Sequence, residues 1–477
     1  MTAEIWDVVI VGAGLSGLSA AHLLRKRNAE MTILVLEGKD RVGGRTLSTE
    51  IPAANGVDCW DFGGQWVGST QTHVLELIKE LGLETYPQYN TGKKVHHMGE
   101  PNARVRTYST SIPLLSPLVI LDFAQLLWKI NRLCATVCVE DPSRTPNAAE
   151  LDSMTLHSYV EQHAWTAELK EELGMCSRSI FGIEPAQMSF LFFLMYAAAS
   201  GGLLPLLEST PGSAQELKIK GGTQQLSEHL AERLGWKNIQ LGSAVKAIWQ
   251  AFWREKGLSG EIVAGSSTNC PFCVTFDATS LSGNAALVGF IAGEQATQWS
   301  SREGEERRKA VVSSLVRYLG PEAASFIHFE EKDWAKVDYS GGCPVNVMAP
   351  GLLTYYHPSL RNPCGRIHWA GTETATQWCG YMSGAIQSGQ RAALEVLAEL
   401  CPTVLTQEEQ EAVRRGQTVK APFKRRQSSW LTYLPSGKTL VISTMTISAA
   451  VLLARCPNAL LKVKSYFTSG LLNNHAQ

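Results

Sequence analysis

"VVIVGAGLSGLSAAHLLRKRN", residues 8–28, decides the fold. Residues 7–11 form an apolar run short enough for a buried strand, and the residues after the glycines repeat their apolar positions at helical spacing. Gly12, Gly14 and Gly17 make a GxGxxG between the two. The first glycine permits the tight turn, the second lets a pyrophosphate approach the backbone, and the third lets helix and strand pack closely. Leu15 and Ser16 then open the helix, whose first N–H groups face the phosphate.

The next apolar run, "MTILVLE", ends in Leu36 and Glu37, followed by Gly38. Glu37 lies twenty residues past Gly17, where an acid can accept hydrogen bonds from a ribose. Strand, glycine turn, helix, strand and acid together predict dinucleotide binding, since a plain packing turn leaves Glu37 unexplained. "GKDRVGGRT" (38–46) follows with a second glycine turn containing Gly44 and a fixed cation, Arg45. A second phosphate-facing loop suits FAD better than NAD, because guanidinium pairs well with phosphate oxygens. "DFGGQWVG" (61–68) adds Gly63 and Gly64 beside a tryptophan.

Taken together, these motifs resemble the flavin-containing amine oxidases. "GRIHWAGTETATQWCGYMSGAIQSGQRAALEVL" (365–397) and "YSGGC" (339–343) narrow the resemblance to the monoamine oxidases, and it spans most of residues 4–400. It implies an α/β plus α+β flavoenzyme that oxidises an amine to an imine, passes the hydride equivalent to FAD and returns the electrons to oxygen as hydrogen peroxide. The imine hydrolyses to an aldehyde. The expected architecture is a discontinuous Rossmann-type FAD-binding domain (1–86, 216–250, 337–400), a mixed-sheet substrate domain (87–215, 251–336), and a basic linker with a membrane anchor (401–477).

The resemblance carries Cys343 onto the cysteine bonded to the flavin, with Gly341 and Gly342 letting backbone crowd the ring. It places Thr372 and Glu373 against the FAD phosphate and ribitol, where a strand ends. Tyr381 matches one of two rings flanking the amine, but Pro344 stands where the other is expected. Half of the aromatic sandwich is therefore missing, and slower turnover or a different substrate shape is expected. Leu207 and Gln215 match entrance and amine-orienting residues, and Trp334 a tryptophan near the flavin.

The middle departs from the family. Contiguous alignment of residues 222–245 puts Val245 at the adenine contact, but several tens of residues are then absent after Gln250, including a strand of the FAD sheet. A second alignment makes Lys246 the catalytic lysine. Loss of a strand from a buried parallel sheet exposes backbone groups and uncovers apolar helix faces. An alternative to an active oxidase is therefore a flavin-binding or membrane-anchored pseudoenzyme or splice form. A polyamine oxidase is a third reading, which the cysteine motif argues against.

Composition narrows the partners. With 43 Lys plus Arg against 44 Asp plus Glu, nothing points to nucleic acid. The 11 cysteines and an N-terminus without signal-peptide character suit a reducing compartment. The CxxC at Cys270 and Cys273 has no second ligand pair nearby, so no metal is expected. Residues 439–454 run without a charge, about 24 Å as a helix. Basic flanks and the resemblance to a monoamine oxidase tail imply anchoring in the mitochondrial outer membrane, facing the cytosol. The expected partners are a small amine, oxygen and the membrane, and a homodimer stays open.

Overall fold

The computed structural model describes residues 5–98, 105–109, 113, 115–238, 252–265 and 270–416. Strand β1 (Val8–Val11) pairs in parallel with β2 (Ile33–Leu36), in the register Val8 to Ile33 through Val11 to Leu36. Helix α1 (Leu15–Arg27) connects them, as the glycine pattern requires. Its last turn holds Arg25, Lys26 and Arg27, which complement the helix dipole. Helix Met382–Leu400 crosses α1 so closely that a Cβ on Gly389 would lie 2.1 Å from the Ser16 carbonyl oxygen. The apolar face of this pair is closed by Leu226, Leu230 and Leu234 from helix Gln225–Leu234, so segments distant in sequence share one core.

A second core is helical and centres on Phe190–Ala199, which is apolar all round and buried on every side. Ser189 caps it by accepting from the Phe192 N–H, and the Ser189 hydroxyl donates to Asp152 at 2.5 Å. Beside this core lies a five-stranded mixed sheet in the order Leu287–Phe290, Val274–Asp277, Leu258–Ala264, Lys93–His97, Arg106–Tyr108. Only the pairing of Leu258–Ala264 with Lys93–His97 is parallel.

Among the described residues, β1 has no neighbour on its other side. Val9 is 50% and Val11 85% exposed, where a central strand of a doubly covered sheet would bury both. Residues 366–370 were expected to end as a strand before Thr372. They form no ladder, only an isolated bridge between Cys364 and Ile367, and Thr372–Thr374 is a single 3-10 turn. Without a continuous sheet beside them these residues have no ladder to join, and Ile367 and Trp369 stay exposed. Val9, Val11, Ile367 and Trp369 are thus exposed at positions where a sheet covered on both faces would bury them.

Val245, Lys246, the junction after Gln250 and the apolar run 439–454 lie outside the described residues. Among the described residues no helix is long and apolar enough to cross a membrane.

Candidate active site

The three glycine loops meet. Gly12, at φ +100°, donates its N–H to the Leu36 carbonyl at 2.7 Å, turning the chain off β1. A Cβ on Gly17 would fall 2.1 Å from the Gly12 oxygen, so only glycine permits this helix to start so close to the turn. Gly43 donates to the Ala13 carbonyl, and a Cβ on Gly44 would lie 3.5 Å from the Gly14 Cα. A Cβ on Gly63 would meet the Arg45 oxygen at 2.1 Å, and Gly64 donates to that same oxygen. Glu37 ties the turn to the strand end by accepting from Ala13 N–H at 2.6 Å and Lys39 N–H at 2.9 Å.

Arg45 does not leave its fork open to an anion. Nη1 and Nη2 donate to Glu373 Oε1 and Oε2 at 2.6 and 2.9 Å, and Nη1 also donates to the Pro344 carbonyl at 3.0 Å. Burial would raise the Glu373 carboxyl, but the hydrogen bonds and charge of Arg45 outweigh it and hold it below the usual range. Asn346 donates to the same carboxylate. The cysteine segment is thereby pinned to the second glycine loop.

Its other end is pinned too. Lys39 Nζ donates to Ser340 at 2.8 Å, and the Tyr339 ring lies against Gly38. Gly341 has φ +63°, and a Cβ there or on Gly342 would meet nothing within 4 Å. The glycines therefore serve backbone conformation and open space rather than contact with protein. Cys343 is exposed to that space, but surrounding protein desolvates its thiolate. The thiol is pushed up to about 11, with Arg45 pulling it down and Glu373 pushing it up.

Tyr381 is fixed from three sides. Thr372 Oγ1 donates to its carbonyl at 2.9 Å, Trp378 meets its ring edge-on at 5.1 Å, and Tyr196 lies 6.0 Å away, centroid to centroid. The two phenols hydrogen-bond, and burial raises both, so both are neutral at physiological pH. Trp334 donates to the Phe62 carbonyl at 2.9 Å, placing it beside Gly63. Gln215 donates weakly to Leu206 at 3.5 Å, while its Oε1 is buried without a hydrogen-bond partner.

One cavity of about 1930 Å³ is lined by nearly all of these groups: the glycine loops, Glu37, Arg45, Leu207, Gln215, Trp334, Cys343, Pro344, Thr372 and Tyr381. Glu373 stands just behind the wall, through its pairing with Arg45. The volume exceeds the ~300–1,000 Å³ of a single small-molecule site, and the space continues past the open edge of β1. The close-packed glycines and the uncapped N-terminus of α1 fit a dinucleotide phosphate without a Cβ in the way. Sequence reading missed Tyr196, Glu208 and Glu261 on the same walls. Tyr196 carries the one side-chain hydroxyl in "FLFFLMYAAA" (190–199), the signal in the sequence that marks it.

The model of the flavin-containing amine oxidoreductases matches residues 15–251 and 249–397. The chain belongs to that family. It is an oxidoreductase of flavin-dependent amine oxidase type. A probable flavin-containing monoamine oxidase A from Dictyostelium discoideum is 33% identical over 462 aligned residues, taking in 83% of this chain and 98% of that protein. The human flavin-containing amine oxidase B is 31% identical, covering 94% and 96%. In structure, a cyclohexylamine oxidase from Brevibacterium oxydans superposes with a TM-score of 0.75 at 28% identity, covering 83% of this chain and all of the other. The family match breaks into two pieces that meet at residues 249–251. In the Dictyostelium alignment, 83% of 477 residues is about 396, so about 66 of 462 positions have no residue of this chain opposite them.

Proposed function

We propose that this chain catalyses oxidative deamination of primary (aryl)alkylamines: amine, O2 and H2O give aldehyde, NH3 and H2O2. The observation that carries this reading is the convergence of Gln215, Tyr381, Pro344 and Cys343 on the cavity that the glycine loops open into. FAD, when bound, supplies the acceptor for the two electrons of the amine carbon and passes them to oxygen.

The chain's own residues do the rest. The glycine turns and α1 hold the pyrophosphate, Glu37 the ribose, and Cys343 the ring by a thioether. Gln215 Oε1, buried and without a donor, accepts from the amine nitrogen. Tyr381 flanks the amine with one aromatic face, and Pro344 opposes it with an apolar, rigid one. Apolar walls favour the neutral amine, which can give up electrons where an ammonium cannot. Trp334 borders the third glycine loop. Thr372 sets the Tyr381 backbone, and Glu373 acts through Arg45. Val245 as adenine contact completes the proposed set, with Lys246 as catalytic lysine the alternative that the second alignment gives.

The open edge of β1 favours one rival, a chain that holds flavin but turns over poorly. Acid precipitation of the purified protein separates them in part: yellow colour retained in the pellet means a covalent flavin, and peroxide release with phenethylamine then establishes catalysis. A colourless pellet and no peroxide overturn the oxidase reading. The apolar run 439–454 supports tail anchoring in the mitochondrial outer membrane. Deletion from Arg425 onward is expected to release the chain from membranes, and full retention refutes the anchor.

A further inference from the structure

Trp60 and Asp61 line a second cavity, of about 270 Å³, as well as the large one. Lys220 and Ser282 stand exposed on its wall, beside the less accessible Asp58, Tyr86 and Lys218. The amine chemistry does not use Lys218. It sits in the middle strand, Leu217–Ile219, of a three-stranded sheet, opposite Trp66 on one side and Tyr86 on the other. That pairing fixes its backbone and leaves the residue only 5% exposed. Among the described residues its Nζ makes no hydrogen bond and no ion pair, and the Tyr86 ring centroid lies 5.9 Å away.

The acids that could hold it as an ammonium are engaged elsewhere. Asp277 takes both prongs of Arg254 at 2.8 Å and the Trp253 ring N–H at 2.9 Å. Asp61 accepts from the Ser48 hydroxyl and from the Thr223 N–H and hydroxyl, and Asp58 from Ser280 and Asn284. Burial pushes the Lys218 amine below the usual lysine range; Asp61 and Asp277 oppose this, and Arg254 adds to it. Cys59, the other nucleophile on this wall, donates its thiol to the Gly221 carbonyl at 3.3 Å. Two residues along the chain, Lys220 gives the contrast: it is exposed and paired with Glu84 at 2.8 Å. A desolvated lysine without a partner is the kind that attacks carbonyl carbons, since the free amine, not the ammonium, is the nucleophile. The cavity falls below the ~300–1,000 Å³ of drug-sized sites, so it admits only a small molecule.

We propose that Lys218 is a carbonyl-trapping site for small, uncharged aliphatic aldehydes. Nζ attacks the carbonyl carbon, a C–N bond forms, and the carbonyl oxygen becomes the hydroxyl of a carbinolamine. That hydroxyl leaves as water and the C=N bond closes, with solvent at the open rim supplying and removing the protons. Amine and aldehyde thus give imine and water, no electrons change hands, and water reverses the step. Aldehydes are the class that amine oxidation releases, but the site stands on Lys218 and its cavity, whether or not this chain turns over an amine.

The test treats the full-length, FAD-loaded protein with propionaldehyde and sodium cyanoborohydride, which reduces the imine to a stable secondary amine. Labelled lysines are mapped by mass spectrometry. At pH 7, Lys218 is expected to be labelled at least about fivefold faster than Lys220. The excess should shrink as pH rises toward about 10.4, where an ordinary lysine also loses its proton. A polymeric aldehyde, periodate-oxidised dextran, should consume the Lys220 peptide and spare Lys218, because the cavity excludes it. Lys218→Arg should remove the fast label and leave Lys220 unchanged. Equal labelling of the two lysines, no label on Lys218, or a Lys218 excess that persists with dextran refutes the site. Should Lys218→Arg fail to fold, the ratio of the two lysines within the wild type, read against pH and aldehyde size, decides. Because no peroxide is measured, failure of the oxidase reading leaves this result intact.

Discussion

Arg45 and Glu373 lie 328 residues apart and close a two-pronged ion pair whose same guanidinium also holds the Pro344 carbonyl. The second glycine loop, the cysteine segment and the turn before helix Met382–Leu400 are therefore tied together at one guanidinium. Glu373→Gln removes the charge from this junction and is expected to cost about 1.5–3 kcal/mol, the range for hydrogen bonds to charged groups. Because the Glu373 carboxyl is depressed in the folded chain, its contribution is present above the ordinary carboxylate pKa and is lost as pH falls through the lowered one. Unfolding of wild type and variant in denaturant should give curves that differ at pH 7 and converge in acid.

Burial pushes the Cys343 thiol up to about 11, which keeps it almost wholly protonated at pH 7. Alkylation of Cys343 in flavin-free protein, followed by mass spectrometry, should rise with pH through that value. Glu373→Gln removes a negative charge that disfavours the thiolate, so the inflection should move to lower pH. If the inflection stays near that of an ordinary free thiol, about 8.5, the desolvated environment assigned to Sγ is wrong.

At Gly17, an added Cβ has backbone, not a flexible side chain, to displace. Gly17→Ala should destabilise the chain by about 1–3 kcal/mol through overpacking and weaken FAD binding in step. Fluorescence titration of flavin against the variant measures both loss of affinity and, on heating, loss of fold.

Val11 gives the opposite expectation. At 85% exposure, Val11→Lys should shift stability by no more than about 0.5 kcal/mol, although a β1 strand covered on both faces would not tolerate it. A melting temperature lowered by ten degrees would show that the strand edge is covered in solution.

On the proposed reading, Pro344→Tyr supplies the amine with a second ring in addition to Tyr381. A cation–π or stacking contribution of about 0.5–2 kcal/mol should raise kcat/KM for an arylalkylamine several-fold. Unchanged kcat and KM would remove Pro344 from the amine's surroundings.

The nucleotide-binding half was legible because its requirements are local: Gly12 answers to a positive φ and Gly17 to a 2.1 Å clearance, and both are written in a few adjacent letters. The family motifs then brought Cys343, Pro344 and Tyr381 to one cavity across hundreds of residues, which spacing alone could not do. What stayed hidden depended on packing between distant segments. Arg45 reads as a phosphate ligand until Glu373 is seen to fill its fork. The strand expected before Thr372 does not form because a strand needs a neighbour to pair with, and the resemblance supplied the strand motif without its partner.

The bare edge of β1 has a meaning outside catalysis. Unpaired donors and acceptors flanked by Ile5, Val9 and Val11 are the kind of surface on which other chains add strands. Among the described residues nothing covers that edge, and an edge of this kind is one that chaperones and proteases engage, so the stability of this strand bears on how long the chain persists.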